Sequence, residues 1–275
     1  MHHPIEKTQS ASPSESLPAL IEYRNVTVNR NRRVVLDKIT LSINLGEHIA
    51  ILGPNGSGKS SLIKTITREC YPRVDIRGSY LRILGKEYWN VFELRSLLGI
   101  VSNDLMEACT RDFSGREIIL SGFFSSIGIW PYHRITPAIE QKVQEIMELL
   151  EISHLAERNM NEISTGEARR IVIGRALVHD PKALVLDEPT SSLDFRAAHE
   201  LHKILSKIAC AGTSIIMVTH SLTDIIPEIT RVILLKAGRV FKDGAKEKVL
   251  TSESLSRLFG TQLEVVKRDG YYYLW

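Results

Sequence analysis

Gly53-Pro54-Asn55-Gly56-Ser57-Gly58-Lys59-Ser60 is the stretch whose reading decides the fold. It fits the pattern GxxxxGK[ST]. The short apolar run His48–Leu52 precedes it, and Lys59–Thr67 reads as a helix. Strand, Gly-rich loop and helix in that order are the context of a phosphate loop. Successive backbone N–H groups in such a loop turn inward onto phosphate oxygens. The glycines permit close approach, and the following helix adds its positive end. Lys59 supplies a point charge to the β- and γ-phosphates, and Ser60 offers a hydroxyl to Mg²⁺. Gly53 through Ser60, with Ser61 beside them, are the candidate phosphate-binding residues. The loop alone indicates a nucleoside triphosphate; it does not separate a kinase, a GTPase and an ATPase.

A second apolar run, Ala183-Leu184-Val185-Leu186, ends in Asp187-Glu188. Open α/β sheets bind ligands at the carboxyl ends of their strands. Asp187 is placed to hold Mg²⁺, directly or through water, and Glu188 to accept a proton from an attacking water. A strand leaving the core into a polar turn at Pro189 gives the same pattern by itself. The phosphate loop elsewhere in the chain favours the catalytic reading.

Working outward, Ile21–Val28 and Val34–Ile43 alternate like antiparallel strands joined by the basic turn Asn29–Arg33. Thr136–Leu150 carries apolar residues at helical spacing, and Ala168–His179 reads as another helix. Ser214–Val218 is a further buried strand. Arg231–Leu235 and Arg239–Lys242 are short strands around the turn signal Ala237-Gly238. Strands alternating with helices argue for a mainly parallel α/β sheet. Residues 1–18, rich in Ser and Pro, read as a disordered tail. The folded domain is expected over 19–262, with a C-terminal tail over 263–275. The chain contains no internal repeat.

Composition is that of an ordinary globular protein: 275 residues, 43% hydrophobic and 24% charged, with a formal net charge of +3. That charge is too small to argue for direct nucleic-acid binding, and none is expected. Three cysteines, Cys70, Cys109 and Cys210, match no metal spacing and read as reduced thiols of a cytoplasmic protein. No apolar run approaches the ~18 residues needed to cross a bilayer, so a membrane role would run through a partner.

Between the two motifs stands Ile163-Ser164-Thr165-Gly166-Glu167, followed by Ala168-Arg169-Arg170 and a helix. This resembles the signature sequence of ABC-type ATPases, usually LSGGQ. Ser191-Ser192-Leu193-Asp194 is similar to the family's D-loop. His220, after the strand Ile215–Val218, stands where the family has its switch histidine. The resemblance runs from about Ile21 to Gly260. It implies an α/β P-loop NTPase cassette with a mainly parallel sheet core. An N-terminal antiparallel β subdomain and a helical signature subdomain, about 104–178, accompany that core. It implies ATP and Mg²⁺ as ligands, and hydrolysis in a composite site. There Ser164, Gly166 and Asp194 of one copy meet the nucleotide held by a second copy. Lys59, Glu188 and His220 are then the catalytic residues, and Ser60, Asp187 and Asn103 the metal ligands.

The sequence also departs from the family. Thr165 replaces the first signature glycine and Glu167 the glutamine. Asn103 stands where the Q-loop glutamine is expected, with a shorter reach to nucleotide and metal. Arg30 stands where an aromatic residue usually stacks on adenine, and its guanidinium plane is the expected substitute. Tyr23 lies too early in its strand to serve. Phe113, Phe123, Phe124, Trp130 and Tyr132 read as the core of the helical subdomain, or as part of a groove for a partner's helix. The stretch Lys246–Gly260 resembles the end of importer cassettes for metal chelates and cofactors. The resemblance therefore implies the ATP-hydrolysing subunit of a transporter with separate transmembrane permease chains, at the cytoplasmic membrane face. The alternative is a soluble ATPase acting as a regulatory or mechanical switch. A P-loop kinase would have no use for a signature segment, a D-loop and His220 together.

Overall fold

The computed structural model describes residues 19–275, so the expected tail over 1–18 lies outside the described residues. The alternating stretches at its start pair as an antiparallel hairpin, β1 (Ala19–Arg30) and β2 (Arg33–Asn44). The turn is tighter than Asn29–Arg33. Only Asn31 and Arg32 lie between the strands, at φ of 49° and 62°. Two consecutive left-handed residues give the twist that a two-residue hairpin needs.

The chain continues through β3 (Ile49–Leu52), α1 (Lys59–Ile66), β4 (Tyr80–Ile83), α2 (Val91–Leu97) and β5 (Leu98–Val101). Four helices follow: α3 (Asn103–Cys109), α4 (Gly115–Ser121), α5 (Pro137–Leu149) and α6 (Thr165–Leu177). Then come β6 (Ala183–Asp187), α7 (Phe195–Cys210), β7 (Ser214–Thr219), β8 (Arg231–Lys236) and β9 (Arg239–Ala245). The chain ends with α8 (Lys246–Val249), α9 (Ser252–Phe259), β10 (Val265–Arg268) and β11 (Tyr271–Leu274).

The central sheet has six strands in the order β5-β6-β7-β3-β8-β9, parallel throughout except for β8 with β9. β1 joins β2 and β4 in a separate three-stranded antiparallel sheet. The short β4 and β5 carry too few residues for the alternation that marks β1 and β2. Only their partners make them strands.

Both faces of the central sheet are covered, which is why its strands read as continuous apolar runs. Alternate side chains go to opposite cores. Ile49, Ile51, Val185, Ile216 and Val218 pack toward β1, β2 and α1. Ala50, Leu52, Leu184, Leu186, Ile215 and Met217 pack toward the helices. Tyr23 is fully buried between these layers. Its hydroxyl lies 2.7 Å from Thr65 Oγ1 and donates to Leu62 O at 3.2 Å, fastening β1 to α1. Burial raises its phenol above the usual range.

Residues 263–275 are structured, in contrast to the tail read from the sequence. β10 and β11 form a hairpin whose Tyr272 is buried in the helix-side core. The chain Val-Val-Lys-Arg-Asp-Gly-Tyr-Tyr-Tyr holds the signal, an Asp-Gly turn between β-forming residues. Asp269 and Gly270 adopt φ of 50° and 82°, as that turn requires.

Helix starts follow side-chain capping. Ser164 accepts from Glu167 N, and the Glu167 carboxylate accepts in return from Ser164 N, a capping box that starts α6 at Thr165 rather than Ala168. Asp194 accepts from Ala197 N at 2.8 Å and starts α7.

Candidate active site

β3 lies between β7 and β8, and β7 lies beside β6. In register, Leu52 is opposite Thr219 and Asp187 opposite Val218. The residues that follow, Gly53, Glu188 and His220, therefore leave one edge of the sheet together. Three segments far apart in sequence become one site because parallel strands end on the same side.

The phosphate loop is close-packed. A side chain at Gly53 would place its Cβ 2.3 Å from Leu235 O and 2.6 Å from Ser57 Oγ. At Gly58, where φ is 106°, a Cβ would lie 2.8 Å from Val35 O. Lys59 is buried, and its Nζ donates to Gly53 O at 2.7 Å and Pro54 O at 3.2 Å, bracing the loop from within. Burial lowers its pKa, and Glu188 and Asp187 counteract that. Gly238 N donates to Ser57 O at 2.8 Å and ties the β8–β9 turn to the loop.

Asp187 ends β6, half-buried. Burial, reinforced by the Glu188 charge and opposed by Lys59, pushes its carboxyl up to about 6. Glu188 sits at φ 48°, and its N–H donates to Val218 O at 2.8 Å. That left-handed backbone is uncommon for a non-glycine residue and turns the chain out of the sheet. The Glu188 carboxylate lies 3.0 Å from His220 Nδ1 and 3.9 Å from Lys59 Nζ. Carboxylate, imidazole and ammonium thus converge at the mouth of the loop.

A cleft of about 450 Å³ opens here, lined by Asn55, Gly56, Lys59, Ser60, Ser61 and Glu188 on one side. Arg33, Val34, Val35 and Gly238 line the other. Arg30 is exposed and does not line it, in contrast to its expected place under the base. The two-residue turn sets Arg30 opposite Arg33, and the returning strand carries Arg33 toward the loop. Neither Arg33 nor Val34 has a sequence signature. The tightness of the turn selects them.

Ser164, Gly166 and Asp194 line a second, separate groove of about 360 Å³, together with His154, Arg170 and Arg196. The groove shares no lining residue with the first cleft. Gly166 faces α7, where an added Cβ would lie 2.8 Å from Ala197 Cβ. Thr165 occupies the first position of α6 and is exposed. Glu167 lies 3.7 Å from His154, and its capping bonds to Ser164 hold its carboxyl below the usual range.

Asn103 begins α3, exposed, and its Oδ1 accepts from Arg169 Nη1 at 3.2 Å. Arg169 is buried and donates also to Ser191 O at 3.3 Å. Sequence reading had no motif by which to select Arg169. The aromatic segment divides: Phe113 and Phe123 pack against the helix-side core, whereas Trp130 and Tyr132 are exposed.

The residues fit a nucleotide with its metal. Backbone N–H groups, Lys59 and the open cleft suit a polyphosphate. Ser60 and the half-buried Asp187 offer hard oxygen donors of the kind that suits Mg²⁺, which takes its remaining ligands from phosphates and water. Among the described residues no group of three or more His, Cys, Asp or Glu could hold a metal alone.

Fold and site together define a phosphate-loop ATPase of the cassette type. The sequence pattern of the family described as ABC transporter matches residues 36–191, and the chain belongs to that family. Its relatives include the ABC transporter ATP-binding protein YlmA of Bacillus subtilis strain 168, 33% identical over 90% of this chain and 93% of YlmA. The hemin import ATP-binding protein HmuV of Aliivibrio fischeri is 31% identical over 87% of this chain and 90% of HmuV. Among solved structures, cbiO1 of Clostridium perfringens, part of the ABC transporter complex cbiONQ, superposes with a TM-score of 0.74. It is 26% identical and covers 87% of this chain and 94% of its own. This protein is accordingly an ATP-binding and ATP-hydrolysing subunit of the ABC transporter family. Among the described residues no helix is long and apolar enough to cross a membrane.

Proposed function

We propose that two copies close face to face around two ATP molecules and couple that closure to permease chains. The observation that carries this reading is the separation of the two half-sites. The phosphate cleft and the signature groove share no lining residue, which supports their meeting one nucleotide from different copies. A two-fold dimer solves this twice over, because each copy offers both surfaces.

In this reading Lys59 and the N–H groups of Asn55–Ser61 bind the phosphates. Ser60 and Asp187 hold Mg²⁺, which neutralises phosphate charge. Asn103, bonded to Arg169, stands beside this site as the Q-loop residue. Glu188 takes a proton from the attacking water, and His220, in hydrogen-bond reach of Glu188, holds that carboxylate in orientation. Ser164 and Gly166 of the second copy face the γ-phosphate from the positive end of α6. Asp194, by starting α7, keeps the neighbouring helix in place against Gly166. Hydrolysis removes the group that bridges the copies, and the dimer opens.

A third cleft, about 290 Å³, lies between the sheet and the helical region. It is lined by Arg95, Ser102, Leu105, Ile127, Arg175 and His179. It adjoins Asn103 and suits a short helix from a permease chain at the cytoplasmic membrane face. This replaces the aromatic segment as the expected groove, since Gly122, Ser125 and Ile127 of that stretch line it but none of its five aromatic side chains does.

The test is size-exclusion chromatography of Glu188→Gln with Mg-ATP, alone and combined with Ser164→Arg. Glu188→Gln alone should run as a dimer, and the Ser164→Arg combination as a monomer that still binds ATP. A dimer unaffected by Ser164→Arg would overturn the composite site.

A further inference from the structure

Asp224 is a buried carboxylate with no role in the mechanism above. It lies on the short turn of helix Leu222–Asp224 and is 3% exposed. A carboxylate so far from water needs donors for its lone pairs. It has two, and they come from different catalytic segments. Thr190, two residues after Glu188, donates to Asp224 Oδ1. Thr219, immediately before His220, donates to Asp224 Oδ2. Thr219 Oγ1 in turn accepts from Ser221 N at 3.0 Å, closing the turn that carries His220.

Behind Asp224 stands His202 of α7, itself buried, with Nε2 4.0 Å from Asp224 Oδ1 and without a hydrogen-bond partner among the described residues. The His202 ring stacks on Tyr271 of β11, centroids 5.9 Å apart and planes at 29°. A continuous set of contacts therefore runs from the C-terminal hairpin, through His202 and Asp224, to the two segments that present Glu188 and His220.

We propose that Asp224 is a positioning residue for ATP hydrolysis. It fixes the Glu188–His220 pair through Thr190 and Thr219, with His202 and Tyr271 as its backing. The inference rests on the reading of Glu188 and His220 as the hydrolytic pair. Asp224 is buried and does not line the phosphate cleft. It sets the 3.0 Å relationship between two side chains whose backbones belong to separate strands. Small misplacements of reacting groups cost rate rather than binding.

Full-length Asp224→Ala, Thr190→Val and Thr219→Val are compared with wild type and with Glu188→Gln. The readouts are steady-state kcat and KM for Mg-ATP, and affinity for a fluorescent ATP analogue. Asp224→Ala should lower kcat about 10- to 100-fold, with KM and affinity within about two-fold. Each near-isosteric Thr→Val change removes one arm and should lower kcat about three- to ten-fold. Adding Asp224→Ala to His220→Ala should lower kcat no further than His220→Ala alone, because Asp224 acts through that pair. Should Asp224→Ala fail to fold, the two threonine variants decide. Wild-type kcat in both overturns the proposal, as do equal losses of kcat and affinity. If Glu188→Gln hydrolyses ATP at the wild-type rate, the hydrolytic pair is wrongly assigned and the inference falls with it. If Glu188→Gln is inactive while Thr190→Val and Thr219→Val are unimpaired, the pair stands and the role of Asp224 alone is refuted.

Discussion

Arg169 and Asn103 are joined by a 3.2 Å hydrogen bond from guanidinium to amide oxygen, across the gap between the signature helix and the start of α3. Arg169 also reaches Ser191 O at 3.3 Å. Its burial lowers its pKa, and the nearby Asp187 charge offsets this. One buried cation thus connects the start of α3, the Ser191 carbonyl ahead of α7 and the charge at the end of β6.

Arg169→Met keeps the bulk and removes the charge. It should lower kcat for ATP about ten-fold and ATP affinity less than three-fold, on the order of one to two lost charge-assisted hydrogen bonds. Asn103→Ala should have a smaller effect. The two losses should not add, because both break the same bond. Steady-state ATPase measurements on the two single variants and the double variant check this. Strict additivity would show that the bond carries no coupling.

Base recognition separates Arg30 from Arg33. Arg33 and Val34 line the phosphate cleft, whereas Arg30 stands outside its lining. Arg33→Ala should weaken ATP about five-fold or more while leaving inorganic triphosphate within about two-fold, as expected of a lost contact to base or ribose. Arg30→Ala should leave both nearly unchanged. Competition against a fluorescent nucleotide measures all four values. A selective loss of ATP in Arg30→Ala instead would restore that residue as the stacking platform.

These contrasts show what the sequence can carry. Gly53–Ser60 and Asp187-Glu188 were legible because each is a short segment at the end of a strand, and parallel strands end together. Ser164 was legible as the opening of a helix, whereas Asp194 and His220 came only from the resemblance to the family's motifs. Arg169, Asp224 and His202 were not legible, since the contacts that give them their place, with Asn103, Thr190 and Asp224, span 66, 34 and 22 positions of the chain, respectively. No local pattern announces such a contact. The β10–β11 hairpin carried an Asp-Gly turn, yet two four-residue strands are too short to stand out from a polar terminus.

His202 gives the stability of the protein a pH dependence of known sign. Its burial lowers its pKa, with Asp224 opposing and His199 adding to the shift. The folded state therefore disfavours the proton that an unfolded histidine accepts near pH 6.5. Its stabilising contribution is fully present above that pH. It is lost as pH falls below about 6.5 toward the depressed folded value, at up to about 1.4 kcal/mol per pH unit. His48, also lowered by burial, acts in the same direction. Thermal melts of the nucleotide-free protein between pH 7.5 and 5 should show a smaller acid-side fall in Tm for His202→Gln than for wild type. Parallel curves would show that His202 does not titrate with unfolding.

Gly166 offers the sharpest separation of sterics from chemistry. The signature glycine can be required because a backbone must come close to phosphate, or because a helix must come close to its neighbour. The structure favours the second for this position, since an added Cβ would lie 2.8 Å from Ala197 Cβ on α7. Two methyl groups at that separation force α6 and α7 apart. That moves Ser164 away from Asp194, the residue that starts α7. Gly166→Ala should therefore lower kcat about ten-fold or more while leaving ATP affinity of the isolated subunit unchanged, because the phosphate loop is not touched. Gly166→Ala combined with Ala197→Gly returns the missing space. The added glycine costs roughly 0.5–1 kcal/mol of helix stability, yet it should recover most of the lost kcat. Recovery in the double variant assigns the glycine to helix packing. If kcat stays low although the double variant folds and binds ATP, the methyl group obstructs the approach of the second copy's nucleotide instead.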